Sequence, residues 1–292
     1  MRIVLKALGL LFVFLILIYG YLTIQNNKSV QPPSAESIRN TFEKSILWLE
    51  NNREKVLAEN NPILWYMIHR ASKISDDQRL RDIFSEYEQR YLINNPNNIW
   101  SPFFYPNRWV PVHFENIASL PYYNHHFIYA LLCDSELENI SAIAEQNHPD
   151  FCDSHPLRPA CVTHQLMGIQ LLQRSQCGDA EELAATSKIL QKRIANQLYY
   201  DIRVVDVYLQ RVLMLVDTGA MDLVKPSWIQ NLIDAQLADG GWSEFDPLIP
   251  LGGGRFFGYG QKFFAIKHPI PSFHTVAQGV LLFSLLDNQQ TQ

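Results

Sequence analysis

An apolar run from Ala7 to Ile24 opens the chain, inside the segment MRIVLKALGLLFVFLILIYGYLTIQ. At about 1.5 Å per residue it makes a helix of roughly 27 Å, close to the hydrocarbon thickness of a bilayer. It is apolar all round, whereas a helix on a protein surface shows one apolar stripe. Arg2 and Lys6 precede it, and Lys28 is the one cation close behind it. The run ends YGYLTIQNN, with no Ala-x-Ala cleavage site. Residues 1–25 are therefore expected to form an uncleaved signal anchor that meets the membrane through residues 4–24. The flanking charges place the N-terminus in the cytoplasm and the main domain outside, in a periplasmic or extracellular space.

The cysteines suit an oxidising compartment. There are four, Cys133, Cys152, Cys161 and Cys177. Cys152 and Cys161 flank the Pro-containing loop DSHPLRPA, which favours a local bridge and leaves Cys133 and Cys177 to pair. Three connectivities stay open on sequence alone, as do four reduced buried thiols. A zinc site built from cysteine is the weaker reading, because no Cys-x-x-Cys pair is present. The net charge of −5 argues against a nucleic-acid partner, which needs a basic face.

Residues 26–35 form a polar, Pro-containing linker, and residues 36–292 form one extracytoplasmic domain. With 47% hydrophobic residues the chain can bury a full core. Nearly all of the domain reads as helix. Amphipathic segments such as DDQRLRDIFSEYEQRYL alternate with shorter apolar ones such as VVDVYLQRVLMLVDTG. No convincing strand pair is legible. A helix apolar on all sides is buried, and a one-striped helix faces water. The alternation predicts an all-α fold, an α/α toroid-like ring of about five helical hairpins after one transmembrane helix. An irregular bundle or solenoid is the plain alternative.

A faint repeat supports the ring. HHFIYALLC (125–133), THQLMGIQL (163–171) and HTVAQGVLL (274–282) align with a small residue, Ala130, Gly168 or Gly279, at the sixth position. A small residue there lets neighbouring inner helices approach closely. Near the C-terminus, QLADGGW (236–242) places Gln236, Asp239, Gly240, Gly241 and Trp242 at a helix end. Both glycines can adopt positive φ and reverse the chain, and Trp242 can pack back over the helix. This stretch resembles the QW repeat of terpenoid cyclases and protein prenyltransferase β-subunits. There the motif joins an outer to an inner helix of an α/α toroid, so the resemblance implies that fold. It does not carry the chemistry across. The Asp-x-Asp-Asp and Asp-Asp-x-x-Asp motifs are absent. His274 alone resembles the prenyltransferase zinc ligand, without its Asp and Cys partners. Fold by itself does not give function.

In a ring of hairpins the equivalent ends of inner helices meet at one mouth. His125, His126, Thr163, His164, Asp206 and His274 fall near such helix starts. Converging imidazoles can bind a divalent metal or act as acid and base, although no complete metal motif is present. The alternative is that they pack and bond to their neighbours. Residues 94–124 form a long loop carrying Trp100, Trp109, Tyr122 and Tyr123, which either walls a ligand cleft or caps the domain with its own small core. Trp242 joins these as a candidate ligand contact. Glu244 and Asp246 follow the QW-like turn, and a carboxylate pair can serve glycoside hydrolysis. GGGRFFGYG lacks the residues of a phosphate-binding loop and reads as a flexible lid or irregular loop.

These features predict a ligand site in the toroid centre. One reading is an enzyme acting on a glycan or an isoprenoid-type lipid, with His125, His164, Glu244, Asp246 and His274 as candidate catalytic residues. The other is a non-catalytic envelope binding or assembly module.

Overall fold

The computed structural model describes residues 2–106, 108–260 and 263–291. Among them are fourteen α-helices and one three-stranded sheet. The helices are α1 (Arg2–Asn26), α2 (Ala35–Asn51), α3 (Arg53–Leu57), α4 (Pro62–Ser75), α5 (Gln78–Glu88), α6 (Phe114–Ile117) and α7 (Tyr122–Leu132). There follow α8 (Ser135–Glu138), α9 (Ser141–Ala144), α10 (Cys161–Arg174), α11 (Ala180–Tyr200), α12 (Asp206–Asp217), α13 (Pro226–Asp234) and α14 (Phe273–Thr291).

Helix starts follow local chemistry. Ser34, Asn61, Asp77 and Asp179 each accept a backbone N–H from the first turn of α2, α4, α5 and α11. Such caps contribute about 1 kcal/mol each. Glu181 and Glu182 reinforce the α11 start by lying at the positive end of its dipole.

Burial separates two kinds of helix. In α12 every residue from Val207 to Val216 is buried, and α4, α7, α10 and α14 also carry long buried stretches. The outer helices α2, α5, α11 and α13 bury one stripe each. The buried helices pack side by side in the order α4, α14, α12, α10, α7. The turn at Ser101–Phe103 touches α7, and Phe103 lies 4.7 Å from the Tyr66 ring of α4. Residues of the aromatic loop thus fill the space between the first and last members of this row. Trp65 stacks on Tyr87 at 4.4 Å and meets Phe273 at 5.2 Å, tying α4 to α5 and α14. Burying each such ring stabilises the fold by about 2–3 kcal/mol.

The C-terminal ends of three buried helices are joined by charge. Arg70 of α4 donates twice to the Asp217 carboxylate of α12, at 2.6 and 2.5 Å. Arg174 of α10 lies 3.9 Å from the same carboxylate and also bonds the Tyr66 hydroxyl.

The helix α1 is long and apolar enough to cross a membrane, and only 6% of its apolar window is buried. Its last turn is the part that docks. Asn26 is buried and bonds Leu198, Tyr208, Ser227 and Asn231. Both disulfides of the favoured connectivity are present, Cys133–Cys177 and Cys152–Cys161.

The all-α expectation needs correction. Residues read as a lid or irregular loop form the antiparallel strands β1 (Asp246–Gly252), β2 (Arg255–Tyr259) and β3 (Phe264–Lys267). Asp246 pairs with Tyr259 and Gly252 with Arg255, while Tyr259 also pairs with Phe264. The turn residues Gly253 and Gly254 have φ of 60° and 74°, the conformation a two-residue hairpin turn demands. Two prolines and two register shifts in β1 hide the strand pattern. Apolar residues on both faces remove the usual alternation of inside and outside.

Candidate functional site

The N-terminal ends of α12 and α14 meet Glu244 in the segment after Trp242, and that of α10 lies beside α12. His274, in the first turn of α14, places Nδ1 3.8 Å from the Asp206 carboxylate and 3.8 Å from that of Glu244. Asp206 is the first residue of α12. Ser272 donates its hydroxyl to the same Glu244 oxygen, Oε1, at 3.1 Å. The amide nitrogen of Gln278, one turn along α14, lies 3.1 Å from His274 Nε2. With that amide donating, the neutral imidazole carries its proton on Nδ1, toward the two carboxylates. Gln278 is buried, and its Oε1 has no hydrogen-bond partner.

His164 adds a second imidazole. Its ring stacks on Tyr123 with centroids 4.0 Å apart. Gln210, one turn after Asp206, lies 3.4 Å from His164 Nε2 and accepts the Thr163 hydroxyl at 2.9 Å.

The environments push these groups in different directions. Burial raises Asp206 above its ordinary value, against the charge of His274, which lowers it, and with that of Glu244, which adds to the rise. Hydrogen bonding to His274 lowers Glu244. Burial, and then the charge of His274, lower His164 to about 4, so that ring is neutral near pH 7. The two neighbouring carboxyl groups are thus displaced in opposite directions.

The other candidates lie elsewhere. His125 donates to the Ile117 carbonyl at 2.8 Å, and His126 to Asn147 at the same distance. Two of the imidazoles therefore meet at the mouth, not four. Asp246 turns away from Glu244 and accepts the Val204 N–H at 3.0 Å, and burial raises its pKa. The sequence pairs Glu244 with Asp246, and the structure pairs it with Asp206. Glu244 lies in a bend just before β1, so no strand register holds the two carboxylates on one face. Trp242 is buried against Gly279 and Phe283 and lines the same cavity as Asp206. Trp100 packs on Phe103, and Tyr122 sits under the Arg158 guanidinium. Trp109 is 66% exposed, and Tyr123 alone of the aromatic candidates touches the histidine mouth. Gln210 and Gln278 escaped the sequence reading, although each stands four residues after a mouth residue, on the same helix face.

Asp206 opens onto a cavity of about 430 Å³ bounded also by the end of α1, and Glu244 onto one of about 640 Å³ beneath the sheet. Both volumes suit a small ligand. Among the described residues no group of three or more His, Cys, Asp or Glu is disposed to hold a metal ion. No family model matches the chain, and neither a curated protein nor a solved structure does.

Proposed function

We propose that the protein is a membrane-anchored, extracytoplasmic acid–base enzyme of α/α-toroid type that acts on a glycan. The observation that carries this reading is the meeting of the Asp206 and Glu244 carboxylates at one nitrogen of His274, 3.8 Å from each, with burial raising the first and the bond to His274 lowering the second. Pairs pushed apart in this way divide the roles of acid and base. Both carboxylates lie 3.8 Å from one imidazole nitrogen, so they are at most about 8 Å apart, within the range over which paired carboxyl groups act on one glycosidic bond.

In this scheme the Asp206 carboxyl gives its proton to the glycosidic oxygen as the bond to the anomeric carbon breaks. Glu244 takes a proton from a water, whose oxygen forms the new bond to that carbon. His274 is a positioning residue that holds Glu244 ionised.

The test uses the full chain in detergent, assayed for sugar release from chromogenic aryl glycosides and isolated envelope glycans. Release is expected, with a loss of about a hundredfold or more in Glu244→Gln at unchanged melting temperature. If no substrate is cut, or if Glu244→Gln and Asp206→Asn keep full activity, the acid–base reading fails. The domain would then stand as a binding or assembly module.

A further inference from the structure

We propose that the β1–β3 sheet is a second membrane-contacting element, which lies against the same leaflet that α1 leaves. The sheet and the residues flanking β3 expose large apolar side chains. Phe263 is 81% exposed and Ile270 64%, and Leu248, Ile249, Leu251, Phe264 and Ile266 are also exposed. In water such a patch is a liability, and a soluble chain seldom presents one of this size without a partner.

Its place beside α1 identifies the partner. The Tyr19 hydroxyl of α1 donates to the Tyr200 carbonyl at 2.8 Å, and Tyr19, Tyr200 and Tyr259 of β2 line one cavity. Tyr19 lies seven residues before the end of α1, inside its apolar window. At about 1.5 Å per residue, that level is roughly 10 Å below the point where the helix ends. Tyr259 thus lies across one cavity from Tyr19, beside the apolar span, with Asp201, Arg203 and Arg211 on the domain side of that cavity, and the ring of Phe264 lies 4.8 Å from it. At the other edge of the sheet, Pro247 of β1 and Leu22 of α1 share a second cavity.

Composition agrees with a lipid surface. From Pro247 to Pro271 the chain carries Arg255, Lys262 and Lys267 and no Asp or Glu. Cations among aromatic and aliphatic side chains suit the headgroup region, where anionic lipids attract Lys and Arg and where tyrosine rings are enriched. Tyr21, Tyr199 and Tyr200 are exposed around the same exit. The last turn of α1 is bolted to the domain through Asn26, so the sheet cannot swing away from the bilayer without breaking buried bonds.

The proposal rests on α1 as a membrane anchor and is independent of the acid–base chemistry. Its test places a fluorophore on single cysteines, Phe264→Cys, Ile249→Cys, Leu15→Cys and Leu47→Cys, in the full chain. Each is reconstituted into nanodiscs of phosphatidylethanolamine and phosphatidylglycerol. Two quenchers are compared, aqueous iodide and a nitroxide high on the acyl chain. The Phe264 and Ile249 labels are expected to behave as the Leu15 label does. Each should lose about half its emission to the lipid nitroxide and little to iodide, with the reverse at Leu47 on α2. Hairpin labels quenched by iodide, with Leu15 quenched by lipid, would overturn the proposal and leave the anchor standing. Hairpin labels shielded from both quenchers would overturn it in favour of a second copy of the chain. A Leu15 label untouched by the nitroxide would remove the anchor and the proposal together.

Discussion

The phenolic hydroxyl of Tyr208 donates to Oδ1 of Asn26 across 2.8 Å, joining a wholly buried helix to the last residue of the apolar one. Asn231 donates to the same oxygen, and the Asn26 amide nitrogen donates to the Leu198 carbonyl at 2.8 Å. A buried side chain that satisfies three partners is costly to lose, because each partner is left without its bond. Asn26→Ala is expected to destabilise the domain by about 2–3 kcal/mol, read from urea unfolding of the full chain in detergent. The same network argues that α1 stays on the mature protein. Intact-mass measurement of protein from membranes should recover residues 1–26, and a mature N-terminus beyond Asn26 would refute this.

The disulfides should differ in worth. Cys133–Cys177 closes a sequence separation of 44, and Cys152–Cys161 one of 9. Chain-entropy arithmetic gives about 4 kcal/mol for the first and about 3 for the second. Double alanine variants compared by urea unfolding should therefore rank in that order, with the long-range pair the costlier by about 1 kcal/mol. Equal losses would show that native packing, not loop closure, sets their contribution.

His126 makes stability depend on pH. The ring is fully buried, donates through Nε2 to Asn147 and leaves Nδ1 unpartnered. Burial lowers its pKa from 6.5 to about 4. Between those values the unfolded chain binds a proton that the folded chain refuses, so stability falls as pH drops through this window and levels off below it. In His126→Gln the slope of unfolding free energy against pH is expected to flatten near pH 5 by up to about 1.4 kcal/mol per pH unit. His69 and His164 are lowered in the same direction, so part of the slope should remain. An unchanged slope would mean that His126 takes up its proton in the folded state.

What could be read from the sequence follows from what each pattern encodes. The apolar run of α1 and the alternation of striped and all-apolar helices are periodic signals, and burial reproduces both. The repeat carrying Gly168 and Gly279 also proved physical, but its meaning differs from simple helix approach. A Cβ at Gly168 would come within 2.2 Å of His126 Nδ1, and one at Gly279 within 2.4 Å of the Trp242 ring. The small residues receive side chains. At the QW-like turn, Gly240 takes φ 93°, whereas Gly241 is required because Pro271 lies against it. The sheet was hidden because neither face of β1 is buried. The partner of Glu244 was hidden for another reason. Proximity in sequence favoured Asp246, and only packing of α12 against α14 brings Asp206 to His274. No local pattern encodes that meeting.

The acid–base reading has its own pH signature. Asp206 must be protonated to act as acid, and burial raises its pKa, so the rate should fall as pH climbs through a value above the ordinary carboxylate range. Glu244 must be ionised to act as base, and its hydrogen bond to His274 lowers its pKa, so the acid limb should lie below that range. The result is a bell broader than two unperturbed carboxyl groups would give. His274→Gln removes the main cause that lowers Glu244 and a charge that lowers Asp206, so both limbs should move to higher pH. The two roles separate further with leaving groups. A dinitrophenyl glycoside departs without a proton, so Asp206→Asn should lose about tenfold or less on it, against about a hundredfold or more on an unactivated glycan. Glu244→Gln should fail equally on both, since each needs the same activated water. Equal loss on both substrates in Asp206→Asn would assign that residue to structure, not proton transfer.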